Sequence, residues 1–311
     1  MTGRPVIVDT DPGQDDAVAI LLALASPELE VLGITAVAGN VPLDLTSRNA
    51  MVTCELAGRP EVKVFAGCDR PMQRDLFTAE YVHGATGLDG ADLPDPRMPL
   101  QEAHAVDFLA ETLAGAQPGS ITLCTLGPLT NIGTLLERHP GAAAGIREIV
   151  MMGGGFFEGG NVTPAAEFNI YVDPEAADIV FGSGLPLTMI PLDATHQALI
   201  LPDHLSRLRR RGAVGEAVAG WLEFYERWDV DKYGMEGGPL HDPCVIAYLL
   251  QPGLFTGKDC NVRIETVSPL TRGMTVVDWW GVTRAPANCT VIRRVMAGEF
   301  FDLLIERIGR L

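Results

Sequence analysis

Basic residues are scarce in this sequence. Its 311 residues carry 23 Lys plus Arg against 40 Asp plus Glu, a formal charge of −17. Such a surplus of carboxylates repels phosphate backbones and anionic headgroups, which argues against nucleic acid and membrane-surface partners. Long apolar runs are also missing. The longest uninterrupted one, residues 17–25, has nine residues, against the roughly 20 that a membrane-spanning helix needs. Cysteine is sparse, at positions 54, 68, 124, 244, 260 and 289. No C-x-x-C pair and no Cys/His spacing of a zinc site is present. A disulfide framework belongs to short secreted chains, so six reduced thiols are expected. The opening Met1-Thr2-Gly3-Arg4-Pro5 shows none of the charge, apolar stretch and cleavage site of a signal peptide, and the expected location is the cytoplasm.

What is there is an ordinary globular composition, 47% hydrophobic and 20% charged, which rules out global disorder. Short β-branched runs alternate with helix-length amphipathic segments. Strands are expected at 6–8, 31–37, 62–65, 121–124 and 149–152, with helices over 16–25, 43–57, 103–114 and 130–138. Strands alternating with helices imply right-handed βαβ crossovers. The expected fold is α/β, an open, mostly parallel Rossmann-like sheet flanked by helices. A helical region (215–230 and 242–250) and short extra strands (262–265, 274–277, 290–293) follow in the C-terminal part, then a last helix from Met296. No linker, repeat or charge run divides the chain, so one domain over 1–311 is expected.

The densest chemistry is Asp9-Thr10-Asp11-Pro12-Gly13-Gln14-Asp15-Asp16, four carboxylates in eight residues where the first strand meets the first helix. Pro12-Gly13 turns the chain sharply and is expected to converge those side chains. A helix start accommodates one or two acids as cap or dipole partner; four repel one another unless something positive sits among them. All-oxygen ligands point to Ca²⁺ or Mg²⁺ rather than zinc or copper. Far downstream, Asp242 in His241-Asp242-Pro243 reads either as a plain N-cap or as a further site acid, with His241 beside it suited to proton transfer.

Two stretches read as ligand-facing loops: the Gly-rich segment from His83 to Gly90, and residues 153–170 after a strand, which carry Asn161 and Glu167-Phe168-Asn169. In open α/β sheets ligands lie beyond the carboxyl ends of strands. Singly, most loop asparagines are turn formers. Amides and acids gathered around a metal suit the hydroxyls of a neutral sugar.

Together these residues resemble the inosine-uridine preferring nucleoside hydrolases. The segment Asp9 to Ala17 resembles that family's signature, and further motifs follow in order: Gly39-Asn40-Val41, His83 to Gly90, Leu126-Gly127-Pro128-Leu129-Thr130-Asn131, Met151-Met152-Gly153-Gly154, Ala166-Glu167-Phe168-Asn169, His241-Asp242-Pro243 and Leu270 to Thr275. The resemblance implies a Ca²⁺-dependent enzyme that cleaves the N-glycosidic bond of ribonucleosides to free base and ribose. It implies Asp11, Asp16, the carbonyl of Leu126 and Asp242 as ligands of Ca²⁺, with Asp11 also taking the proton of the attacking water. Asp15, Asn169 and Asp242 would hold the ribose 2′- and 3′-hydroxyls, and Asn161 and Glu167 the 5′-hydroxyl. Asn40, Met152 and Phe168 would line the pocket, with His83 and His241 facing the base. By the same resemblance the chain assembles as a homodimer or homotetramer.

The chemistry of the residues agrees. Glycosidic cleavage passes through an oxocarbenium-like state that carboxylates favour, a cation lowers the pKa of its water, and a histidine assists departure of the base. Relatives specialised for purines sandwich the base between aromatics; here Gly84-Ala85 follows His83 and offers no tryptophan. Tyr225, Trp228 and Tyr233 read either as a lid over the base or as ordinary packing. Two histidines on the base side favour pyrimidine nucleosides, chiefly uridine and cytidine, with inosine also accepted. Other readings are hydrolysis of another N-riboside such as nicotinamide riboside, a Mg²⁺-dependent phosphohydrolase suggested by Asp9-x-Asp11, and a riboside-binding protein without turnover.

Overall fold

The computed structural model describes residues 3–311, except for the side chains of Asp229 and Tyr233. Strand β1 (Arg4–Thr10) shows how the layers arise. Val6 and Val8 point into one apolar cluster and Ile7 into the other, because successive side chains of a strand leave on opposite faces. A strand apolar on both faces belongs in the middle of a covered sheet.

The chain then runs α1 (Gln14–Leu24), β2 (Leu29–Ala36), α2 (Leu43–Leu56), β3 (Val64–Ala66), the single turn α3 (Glu80–His83), α4 (Ala105–Gly115), β4 (Ile121–Thr125), α5 (Thr130–Arg138) and β5 (Ile146–Met152). Two short helices and a strand follow, α6 (Phe168–Val172), α7 (Pro174–Gly182) and β6 (Leu187–Ile190). Next come α8 (Leu192–Thr195), α9 (Pro202–Arg209), α10 (Gly212–Tyr233) and α11 (Pro243–Leu250). The last elements are β7 (Phe255–Ile264), β8 (Thr275–Asp278), β9 (Cys289–Val295) and α12 (Ala297–Ile308).

The strands form one sheet in the order β3-β2-β1-β4-β5-β6-β9-β7-β8. All neighbours from β3 to β9 are parallel, and β7 runs antiparallel to both β9 and β8. This is the expected mostly parallel α/β sheet with extra strands at its C-terminal edge. After β1 the chain builds outward to β2 and β3, then returns to place β4 on the other side of β1. That reversal opens a crevice at the carboxyl ends of β1 and β4, where open α/β sheets bind ligands. Helix α1 starts at this crevice and is buried along its whole length, lying among α2, α10, α11 and α12.

Several boundaries differ from expectation, each for a local reason. Strand β6 escapes notice because its four residues sit between Pro186 and Pro191. The loop after β5 ends at Glu167 rather than at residue 170, because the Glu167 side chain caps α6, accepting the backbone N–H groups of Asn169 and Ile170. Strand β7 starts seven residues earlier than the expected 262, at Phe255. Its first half is mostly exposed and lacks clear alternation. All six cysteines are free. No helix among the described residues is long and apolar enough to cross a membrane.

The C-terminal helix is tied to the turn before β2 by a two-pronged ion pair. Arg307 Nη1 and Nη2 donate to Glu28 Oε2 and Oε1 at 2.6 and 2.7 Å. The guanidinium bonds hold the Glu28 carboxyl down at about 2, from an ordinary 4.5. A depressed carboxylate stabilises the fold above its unfolded pKa, and that contribution disappears as pH falls through the folded value. Half of the Glu28 side chain is open to water, so screening keeps the effect small. Glu28→Gln is expected to lower stability at pH 7 by about 0.5–1 kcal/mol in urea melts. The gap to the native protein should close as pH falls from about 4.5 to about 2.

Candidate active site

The floor of the crevice is built by the turn between β1 and α1. Asp16 lies in the first turn of α1 and is held by four donors. Thr10 Oγ1 and the Asp11 N–H reach its Oδ1 at 2.5 and 3.3 Å. The Gly13 N–H and Asn40 Nδ2 reach Oδ2 at 3.0 and 3.1 Å. Asp11 receives the Asn40 N–H on Oδ2 at 2.7 Å, while its buried Oδ1 has no hydrogen-bond partner among the described residues. Glycines enclose this carboxylate. A Cβ on Gly127 would lie 2.1 Å from Oδ1, and one on Gly39 2.1 Å from Oδ2.

Asp242, at the foot of α11, makes no capping bond to that helix, so the plain N-cap reading fails. Its carboxyl meets that of Asp16, and its N–H serves Asp15. Ligand oxygens of Asp15, Asp16 and Asp242 lie within 4.8 Å of one another, all three residues buried. Burial raises every acid of this group: Asp15 to about 8, with the charge of Asp16 adding to it, and Asp11 and Asp242 well above the ordinary value. Carboxylates this close, out of water, need a shared proton or a cation. An all-oxygen set with an orphaned buried oxygen beside it fits a hard divalent ion.

Asp9 departs from the expected convergence of four acids. Its Oδ2 takes bonds from Thr35 Oγ1 at 2.6 Å and Asn131 Nδ2 at 2.8 Å, and it does not line the crevice. The fourth acid is Asp242, supplied from more than two hundred residues downstream. Asp9 shares the strand periodicity of Asp11, and nothing in the local sequence distinguishes a structural acid from a site acid.

Above this floor opens a pocket. Asp15, Asn40, His83, Leu126, Met152, Asn161, Glu167, Phe168, Asn169, His241 and Asp242 all line it, drawn from segments spread between β1 and α11. Asp11 and Asp16 sit beneath that surface, 1% and 0% exposed. Asn169 spends Nδ2 on the carbonyls of Leu126 and Met152 at 2.7 and 3.3 Å. Glu167 spends its oxygens on the N–H groups of Gly154, Asn169 and Ile170. Asn161 Oδ1 accepts the Phe168 N–H at 3.0 Å.

Both histidines are neutral at pH 7, because burial pushes His83 down to about 3 and His241 well below its usual value. Tyr225 and Trp228 of α10 line the same pocket, as does Tyr81. Tyr225 lies against His83 at 5.6 Å, and Tyr81 against Trp228 at 5.0 Å between ring centroids. The Tyr233 side chain lies outside the described residues. Sequence reasoning missed Gln14, whose amide bonds His83, and the stretch after β6. There Asp193 accepts the N–H groups of Phe156 and Phe157 at 2.9 Å each, and Thr195 bonds His241. The available signal was position, since both follow the carboxyl end of a strand, but β6 itself was too short to see.

Comparison with known proteins decides what this arrangement belongs to. Residues 6–302 match the model of the inosine-uridine preferring nucleoside hydrolases. The chain belongs to that family. It is 48% identical over 308 residues to the pyrimidine-specific ribonucleoside hydrolase RihA of Photobacterium profundum, covering 98% of this chain and 99% of that one. It is 52% identical over 307 residues to the uncharacterized protein C1683.06c of Schizosaccharomyces pombe, again covering 98% and 99%. Among solved structures, the purine-preferring ribonucleoside hydrolase from Gardnerella vaginalis superposes with a TM-score of 0.91 at 34% identity over 98% of each chain. The protein is thus a nucleoside hydrolase, a glycosidase acting on the N-glycosidic bond of ribonucleosides.

The glycine cradle of this hydrolase yields a test. Gly127→Ala introduces a methyl group into the space of the Asp11 carboxylate. A misplacement of about 1 Å at a reacting group costs on the order of a hundredfold in rate. Gly127→Ala is expected to lose activity on that scale in a ribose-release assay, with a lowered thermal midpoint from overpacking. Full activity in the variant would mean that the Asp11 position does not matter.

Proposed function

We propose that this hydrolase is Ca²⁺-dependent, that Asp11 acts as its general base, and that it prefers pyrimidine ribonucleosides, chiefly uridine and cytidine. The observation that carries the reading is the joining of Asp15, Asp16 and Asp242 within 4.8 Å, buried, beside a pocket with two neutral histidines. Asp11, Asp16, Asp242 and the Leu126 carbonyl would hold the ion; that carbonyl keeps a second lone pair beyond its bond from Asn169. A Ca²⁺ bound there would orient the attacking water and make it more acidic.

The remaining work falls to the chain. Asp11 Oδ1, without a partner among the described residues and fixed through Oδ2, accepts the water's proton. Asp15, Asp242 and Asn169 orient the 2′- and 3′-hydroxyls. Asn169 has its Nδ2 committed to backbone, so its Oδ1 is the atom offered to a hydroxyl. Asn161 and Glu167 attend the 5′-hydroxyl. Asn40, Met152 and Phe168 close the walls, which exclude water from the ring as positive charge develops. His83 and His241 meet the base. Sites drawn from residue 11 to residue 242 support one catalytic unit over 1–311.

Pyrimidine preference is supported by the identity to the RihA hydrolase and by two polar rings at the base end. Trp228 and Tyr225 do line that end, but Tyr225 is 3% exposed and leaves little face for stacking. The test is ribose release from uridine, cytidine, inosine, adenosine, guanosine and nicotinamide riboside, with Ca²⁺ and with chelator. Uridine and cytidine should exceed the purines in kcat/KM by about tenfold or more, the scale of one well-placed binding difference. Chelator and Asp11→Ala should each abolish release. Equal rates on inosine and uridine would overturn the base preference, and chelator-resistant release the metal dependence.

A further inference from the structure

The two pocket histidines are each tied into the wall through Nδ1, by partners of opposite character. His83 Nδ1 lies 2.7 Å from Gln14 Oε1. The Gln14 amide cannot be turned around, because its Nε2 donates to the carbonyls of His83 and Asp89 at 2.9 and 3.0 Å. The reverse orientation would set an amide oxygen against two carbonyl oxygens. Oε1 is therefore an acceptor, and the His83 Nδ1 facing it carries the ring's proton. A neutral imidazole has one such proton, which leaves Nε2 of His83 as a lone pair.

His241 is the mirror case. Its Nδ1 lies 2.7 Å from Thr195 Oγ1. Thr195 is fully buried, and among the described residues His241 Nδ1 is the one hydrogen-bond partner found for its hydroxyl. Leaving a buried hydroxyl proton without an acceptor is costly. Thr195 therefore donates, Nδ1 accepts, and the proton of His241 sits on Nε2. Both rings line the pocket with Nδ1 engaged behind them, so Nε2 is the nitrogen each presents to a ligand.

We propose that Gln14 and Thr195 are positioning residues that lock His83 and His241 in opposite tautomers, so that the pocket offers the nucleobase one acceptor, His83 Nε2, and one donor, His241 Nε2–H. The inference rests on the reading above that both rings face the base. It narrows the substrate class to bases that present an N–H beside a hydrogen-bond acceptor, such as the N3–H and carbonyls of uracil or the N4 amine and N3 of cytosine. It also divides the labour at the leaving group: the hydrogen bond to the departing base comes from the His241 side, while His83 holds an N–H.

Neither position stands out in the sequence as chemistry. Gln14 lies between the glycine of the turn and the paired acids, and Thr195 sits on a four-residue helix. Tautomers are fixed by networks of this kind rather than by the histidine itself.

The test reads the rings directly. Long-range ¹H–¹⁵N correlation spectra of the labelled, Ca²⁺-loaded protein without nucleoside, assigned with His83→Asn and His241→Asn, should show His83 as the Nδ1–H form and His241 as the Nε2–H form. The same tautomer in both rings would overturn the proposal. Thr195→Val should convert His241 alone to a mixture and cost about tenfold in uridine kcat with KM changed less than about twofold, on the scale of an impaired proton donor. Thr195→Ser should restore both. Gln14→Leu should mix the tautomers of His83 alone. If Thr195→Val left spectrum and kcat unchanged, the positioning role would be wrong. Because the spectra need no turnover, a failure of the pyrimidine reading and a failure of this one are separate results.

Discussion

Four carboxylates buried together at one sheet crevice form the constraint around which the site is organised. Asp11, Asp15, Asp16 and Asp242 are at most 4% exposed, and burial leads the causes that shift each of them. The charges that raise them further are those of one another. Burying like charges is costly unless protons or a cation compensate. The surroundings look built for that compensation. Thr10, Gly13, Asp11 and Asn40 fix Asp16 by donation, and Gly39 and Gly127 make room for the Asp11 carboxylate.

Given that floor, the walls follow from topology. The crevice opens where the sheet order reverses between β1 and β4, and the segments after β1, β2, β4 and β5 each bring a lining residue to it. The stretch after β6 braces two walls at once. Asp193 gathers the N–H groups of Phe156 and Phe157, fixing the loop that carries Asn161 and Glu167. Two residues on, Thr195 fixes His241. Helix α8 therefore braces both the wall that carries Asn161 and Glu167 and the wall that carries His241, although none of its own side chains lines the cavity.

Much of this was legible in the sequence. The βαβ rhythm announced the parallel sheet, because β-branched runs and amphipathic helices leave periodicities that differ. The motif Asp9 to Asp16 announced the floor, since that many acids around a Pro-Gly turn have few structural uses. What stayed hidden was hidden for physical reasons. Asp9 and Asp11 are two residues apart in the same pattern, yet Thr35 and Asn131 claim the former through tertiary contacts. Gln14 and Thr195 act through hydrogen bonds to histidines 69 and 46 residues away, which no local pattern carries. Glu167 is both a helix cap and a pocket residue, and its sequence neighbours cannot separate the two roles.

Thermal stability measured from pH 5 to 8, with saturating Ca²⁺ and with chelator, tests most directly whether a cation completes the floor. Asp15 has its pKa raised from 3.8 to about 8. The folded chain without the ion therefore holds protons that the unfolded chain has released. That contribution is complete below about pH 4 and is lost as pH rises through about 8. A Ca²⁺ held beside Asp15 would favour its charged form and remove that loss, while Asp9, raised to about 7 by burial away from the pocket, titrates alike in both series. The stabilisation by Ca²⁺ is predicted to grow steadily from pH 5 to pH 8. A difference that is absent, or constant across that range, would contradict the view that the buried acids wait for a cation.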